Sequence, residues 1–478
     1  MIHLSGSSLY ERSVRSKDGC EFGMARIGTE RVFLIGGSKE ELKRLPFSGI
    51  MESGANGPVL RCELSDANAE ALRSVFVFTR PVLIGKDSSF GFGDRLGDAG
   101  PAHLRSLDGS SMRPVLAQQS IRELERTNRR PIDVMNAASW AVFQEGYTSG
   151  FGADGDHLKT PEHIDRMMRA GFTMLTIDPS EHVVDVAHTM SSADLETAFL
   201  LLPWDELDTT PEATMRRYVD RVIHISDGIR ITPSRMDLLK GMVTYGRVLA
   251  HTRMMSTHIR TNWRTHPTEL ELSVDETDHP TTPFEHLLIA SELQRMDVEL
   301  VSLAPRFSGD FEKGVDFRGD ITQFTRDYIV HRAIAKTYGD YKLSIHSGSD
   351  KFTIYQVIGS IGSDRVHVKT AGTSYLEALR TIATIDPDLF STILQTSISQ
   401  FAVDRKTYHV SADVSRVRGS SPELLDSDDA RQILHVTFGS ILTHPELHPR
   451  IQHALAQNES TYEEHLVRHF KKHLHYFA

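Results

Sequence analysis

Eight apolar, strand-like segments, most followed by a polar, glycine-rich loop and then often a helical stretch, predict an α/β protein. Alternation of such strands with helices implies a mostly parallel sheet, and eight units can close on themselves as a (β/α)8 barrel of the TIM type. The 478 residues leave room for an N-terminal α/β extension at 1–75 and a barrel at 76–375 with a helical insertion at about 190–255. A helical C-terminal cover fills 376–478. The first unit is the least regular, and an open doubly wound sheet is the alternative it leaves.

In chain order, FGMARIGTERVFLIGG reads as two short strands around a turn, and SKEELKRL and DANAEALRSV as short helices. The barrel segments then follow: VFVFTRPVLIG leading into the loop SSFGFGDRLG; RPVLAQQSIREL; SWAVFQEGYTSGFGADGDH; GFTMLTIDPS; TELELSVDETD; VELVSLAPRF; YKLSIHSGSD; and RVHVKTAGTS. Helix starts punctuate them. Thr160-Pro161-Glu162 supplies a cap residue and a proline at the first helical position, and Thr282-Pro283 with Glu285 has capping-box spacing. Thr232-Pro233 is expected to open a long amphipathic helix within the insertion. After about residue 375 further helices are expected, with RQILHVTFGSIL buried among them.

A net charge of −11 gives no support to nucleic-acid binding, which needs a basic face. Two cysteines, Cys20 and Cys62, exclude a disulfide scaffold or a thiolate metal cluster. The N-terminus lacks the basic-then-apolar pattern of a signal peptide and no window has the length of a membrane span, so a cytoplasmic protein without membrane partners is expected. Many of the 24 histidines fall in the last fifth of the chain, where they read as faces of terminal helices. Oligomeric state is left open.

The chemistry gathers where the strands end, which in a barrel is the catalytic rim. Asp156 and His157 follow the glycine-rich loop of the third unit, one suited to a metal and the other to a proton, with Lys159 placed to pair with a carboxylate. Asp178 ends the fourth strand. Asp275 and Glu276 end the fifth; alternate strand residues share a face, so one of the two reaches the mouth, and Glu276 is favoured. Arg306 ends the sixth strand, where a guanidinium can grip a carboxylate through two hydrogen bonds. Glu312 is a further candidate metal ligand, in competition with Asp310 and Asp316. His346 ends the seventh strand together with Ser347, Ser349, Asp350 and Lys351, and Lys369 and Thr370 end the eighth. Gln118 and Gln119, on the second, suit sugar hydroxyls. His, Asp and Glu without clustered cysteine fit one divalent cation of zinc, manganese, cobalt, nickel or iron. Phosphate-loop, dinucleotide, HExxH and GxSxG signatures are absent from the sequence.

The segments GFGDRLG, QQSIREL, GFGADGDHLKT, GFTMLTIDPS, SVDETDHPTTPFEH and SIHSGSDKF, spanning roughly 90–355, resemble the tagaturonate epimerase family. The resemblance implies a divalent-metal-dependent enzyme of hexuronate breakdown that interconverts two sugar acids, D-tagaturonate and D-fructuronate. It implies Asp156 as proton acceptor and Glu276 or Asp275 as the opposite acid. It implies His157 and His346, with Glu312, as metal ligands. Gln118, Lys159, Asp178, Asp275, Arg306, Ser349, Lys351 and Lys369 are the expected substrate contacts. The inverted carbon lies β to the ketone, so simple removal of its hydrogen gains nothing from the carbonyl, and retro-aldol cleavage is the expected route. A metal-dependent aldolase or ketose isomerase on the same barrel is the alternative.

Overall fold

The computed structural model describes residues 2–346, 350–419 and 421–477. Eight parallel strands close a barrel: β1 (Ser89–Gly93), β2 (Arg113–Ser120), β3 (Gly152–Leu158), β4 (Met174–Ile177), β5 (Glu269–Val274), β6 (Ser302–Pro305), β7 (Lys342–Ile345) and β8 (Val366–Thr370). Each strand pairs with its neighbours in sequence, and β8 pairs with β1 to close the ring. This excludes the open doubly wound sheet.

Two of the predicted strands sit elsewhere. The first is not VFVFTRPVLIG but SFGFG, within the segment expected to be its loop. Pro81 and the exposed Val77, Val82 and Leu83 belong to a surface connection containing a single 3-10 turn, Val77–Thr79. All five residues of β1 are buried instead; side chains in place of Gly91 and Gly93 would collide with Gln118 and with the main chain of Thr370 and Ala371. In the third unit, SWAVF lies inside the helix Pro131–Glu145, which begins with proline and is stopped by Gly146 at φ 59°. The strand is GADGDHL, so Asp156 and His157 sit on β3 itself.

Both predicted caps are present: Thr160 Oγ1 accepts from the amide of His163 at 3.3 Å, and Thr282 and Glu285 form a reciprocal capping box. The long insertion helix, Arg235–Asn262, is capped by Ser234 with Asp237 rather than by Thr232. Residues 7–62 form a six-stranded antiparallel sheet whose Phe33 packs on Trp140 and Phe143 of the helix Pro131–Glu145, ring centroids 5.4 and 5.3 Å apart. At the other end of the chain, the helix Glu459–Leu474 lays Phe470 over Phe92 of β1 at 5.2 Å. Among the described residues no helix is long and apolar enough to cross a membrane.

Candidate active site

Strand alternation fills the barrel with polar side chains. The inward phase carries Asp154 and Asp156 on β3, Glu269, Glu271 and Ser273 on β5, Lys342 and Ser344 on β7, and His367 and Lys369 on β8; the outward phase, such as Leu270, Leu272 and Val274, packs into the surrounding helices. Contacts between strands that are not neighbours fix this orientation. The Lys369 ammonium lies 2.7 Å from Asp154 Oδ2, 2.8 Å from Asp156 Oδ1, 2.9 Å from Glu271 Oε1 and 2.6 Å from Thr176 Oγ1. β8 reaches β3, β4 and β5 only across the interior. Burial opposes the charge on Lys369, but the three carboxylates override it and hold the ammonium well above its ordinary pKa. Deeper in the barrel, Lys342 donates to Ser89 Oγ at 3.2 Å, and Ser89 Oγ pairs with His367 Nδ1 at 2.8 Å. Burial pushes His367 down to about 3, leaving it neutral.

Above this cage three side chains converge. His157, Asp275 and His346 each present a ligand atom, all within 4.8 Å of one another, and the two imidazole centroids are 5.2 Å apart. A local irregularity aims His157: three residues of β3 from Gly155 to Leu158 advance against two of β4, and His157 takes φ 53°. Such a bulge turns a side chain that would face outward toward the mouth. Asp275 continues the inward phase of Glu271 and Ser273 one step beyond β5 and accepts a hydrogen bond from Ser273 Oγ.

Each histidine has its second nitrogen engaged. His346 Nε2 lies 2.7 Å from Glu271 Oε1, leaving Nδ1 to face Asp275 at 3.4 Å. His157 Nδ1 lies 3.2 Å from Asp178 Oδ2, leaving Nε2 toward the cluster. A carboxylate on the far nitrogen fixes tautomer and ring orientation and raises basicity, as it does for histidines that ligate metals. Burial works against charging either ring, but Asp156 and Asp178 lift His157 to about 10, and Asp275 and Glu271 lift His346 to about 9. Burial opposes ionisation of Asp275 as well, yet His346 and His157 hold its carboxyl far below the ordinary range. Two braced imidazoles and one carboxylate are donors suited to a borderline divalent cation, so the residues present fit that group.

The other expected residues divide. Lys159 stands 3.9 Å from Asp178 and 3.3 Å from Glu181 at the same rim. Gln118 is buried, and both its amide atoms lack a partner among the described residues. Arg306 follows β6 directly, with Nε buried and unpartnered among the described residues. Glu276 is exposed beyond β5, near enough for its charge to act on His157 and Arg122. Glu312 is not brought to the histidines. Its Oε2 accepts from Ser411 Oγ and Gln432 Nε2, both at 2.7 Å, and from Arg318 Nη1 at 3.3 Å; it ties its loop to the C-terminal region, and Asp275 takes the place expected for it. Lys351 is buried and donates to the main-chain carbonyls of Glu312 and Val315. Ser349 lies outside the described residues. Sequence reasoning passed over Asp154, Thr176, Glu271 and Ser273. It also passed over Arg122, whose guanidinium lies 4.9 Å over the ring of Tyr408.

A closed parallel barrel with two carboxylate-braced imidazoles facing an aspartate at its carboxyl rim, above a buried lysine–carboxylate cage, defines a barrel enzyme with a divalent-cation centre. The family described as "UxaE: tagaturonate epimerase" matches residues 10–477. The chain is 39% identical over 476 residues to the tagaturonate/fructuronate epimerase of Thermotoga maritima, covering 98% of this chain and 96% of that one. It superposes with a TM-score of 0.91 on the native crystal structure of the fructuronate-tagaturonate epimerase UxaE from Cohnella laeviribosi, at 37% identity and with 98% of this chain and 96% of that one covered. A two-glycerol complex of the Cohnella enzyme gives the same TM-score at 36% identity, covering 99% and 97%. The chain belongs to the tagaturonate epimerase family.

Proposed function

We propose that this chain interconverts D-tagaturonate and D-fructuronate with a divalent cation held by His157, Asp275 and His346, through cleavage and re-formation of a carbon–carbon bond. Membership of the family supports the reaction, and the convergence of two braced imidazoles on Asp275 carries the assignment of the centre. When bound, the cation supplies Lewis acidity toward the oxygens of the sugar acid. Glu271 and Asp178 orient the two rings that hold it.

Asp156 is the proton acceptor. The Lys369 ammonium donates to it at 2.8 Å and stabilises the carboxylate, so it stands ready to take the proton of the hydroxyl on the carbon to be inverted. As that hydroxyl becomes a carbonyl, the bond toward the carbon beside the ketone breaks and its electron pair passes into the ketone. The aldehyde fragment turns its other face and the bond re-forms. Glu276, across the mouth on the β5 loop, serves the hydroxyl of opposite configuration. Arg306 and Lys159 bind the substrate carboxylate, and the unpartnered amide of Gln118 meets a sugar hydroxyl.

The test is incubation of metal-reconstituted protein with D-tagaturonate in D2O. D-fructuronate should appear with the hydrogen on the inverted carbon retained. Deuterium at that carbon would exclude the cleavage route, and cleavage to free products without epimerisation would mean an aldolase instead.

A further inference from the structure

A second cluster of ligating side chains lies outside this centre, where the C-terminal helix meets the segment after β7. Asp350 Oδ1 is 2.8 Å from His469 Nε2 and 2.9 Å from His473 Nε2. His469 and His473 are four residues apart on the helix Glu459–Leu474 and so share one face. Asp350 and His473 are buried, and the His469 side chain is only 11% exposed.

With neutral rings and ionised carboxylates, the hydrogen atoms of the described residues do not suffice for these contacts. His473 Nδ1 faces the main-chain carbonyl of His469 at 3.1 Å, so Nδ1 carries the proton. In the neutral ring, Nε2 then turns a lone pair toward a carboxylate oxygen, and among the described residues the donor aimed at it is the Asp350 amide at 3.2 Å. His469 has carboxylates on both sides, Asp350 at Nε2 and Glu377 Oε1 at Nδ1, 3.3 Å away, and in its neutral form has one proton for the two.

We infer that Asp350 Oδ1, His469 Nε2 and His473 Nε2 bind a second divalent cation of the zinc type. One cation among the three atoms gives both imidazole lone pairs and the carboxylate oxygen a common partner, with the Asp350 amide displaced from His473 Nε2. The His469 proton then sits on Nδ1 toward Glu377, and the His473 proton stays on the carbonyl. Arg431 holds the other oxygen of Asp350. Carboxylate and carbonyl partners on the far ring nitrogens, and a hydrogen-bonded ligating carboxylate, are the surroundings metal ligands have. Tetrahedral donors at zinc bond lengths stand about 3.4 Å apart, so the two contacts to Asp350 Oδ1, at 2.8 and 2.9 Å, need to open by about half an ångström. The site joins the C-terminal helix to the segment that follows His346, and it is built from residues that the first centre does not use.

The experiment is zinc stoichiometry on the full-length protein, stripped, reloaded and dialysed against a weak chelator, with an anomalous difference map of wild-type crystals at the zinc edge. Two zinc ions per chain are expected in the wild type and one in His473→Gln, with an anomalous peak between Asp350, His469 and His473. His346→Ala should lose the other ion and keep this one. A single ion that His346→Ala abolishes and His473→Gln leaves in place would overturn the inference. So would a wild-type map with no peak at Asp350, which needs no variant to fold. A single ion lost only in His473→Gln would uphold this site and remove the proposed catalytic one.

Discussion

Lys369→Met removes the cation at the centre of the barrel and leaves its partners in place. The ammonium meets three carboxylates at 2.7–2.9 Å, and all four side chains are at most 8% exposed. With an effective dielectric constant near 20, each of those attractions is about 6 kcal/mol before desolvation and the mutual repulsion of the acids are set against it. What a melt records is the net cost of stranding buried charge, about 3–5 kcal/mol. An unfolding entropy of roughly 2.1 cal/mol/K per residue gives about 1 kcal/mol/K for a chain of 478 residues, so Tm should fall by about 3–5 °C at pH 8. The pH dependence has a definite sign. Burial raises Asp154 to about 6 even beside Lys369; without the ammonium, Asp154, Asp156 and Glu271 are buried against one another and at least one must rise further above the unfolded value near 4. A group raised in this way contributes stability at low pH that is lost as pH rises through the folded pKa. The gap between variant and wild type should therefore narrow from pH 8 to pH 5. Equal Tm values at pH 8, or a gap that is the same at both pH values, would refute the picture of a charge-balanced interior. Activity should fall as well, because Asp156 loses the hydrogen bond that positions it.

Two further outcomes follow from contacts described above. Glu271→Gln leaves His346 without its carboxylate brace, and metal affinity measured by chelator competition should drop about 10–100-fold while the fold is kept; unchanged affinity would mean that Glu271 does not orient the ligand. Burial pushes the Cys62 thiol up to about 12, so roughly one part in ten thousand is thiolate at pH 8, and a maleimide should label Cys62 only after unfolding. Labelling of the native protein within minutes would show that the N-terminal sheet opens.

How much of this was legible before the structure depended on the range of each contact. His157 and His346 stood out because polar groups at the end of an apolar strand have few purposes other than function. The alternation of TELELSVD was equally visible, but a strand of that pattern ordinarily faces a core on one side and water on the other. Here the polar phase faces a polar interior, a fact that exists only once β8 is known to lie opposite β3, β4 and β5. The choice between Asp275 and Glu276 turned on the same alternation. Residues 269, 271, 273 and 275 share one phase, so extending it by one step selects Asp275 for the cluster and leaves Glu276 at the exposed rim. The short run SWAVF suits a strand or a buried helix equally well, and Pro131, eight residues upstream of its first residue, decided for the helix. Glu312 had no periodicity to guide it, and its partners Ser411 and Gln432 lie about a hundred residues on. Asp350 makes the same point more sharply. Beside His346 in sequence it reads as one more polar residue at the barrel mouth, yet its imidazole partners come from a helix more than a hundred residues later, where the histidines read only as faces of terminal helices. Local pattern therefore identified which residues carry chemistry on each strand, whereas which of them share a centre was set by closure of the ring and by the helix laid across it.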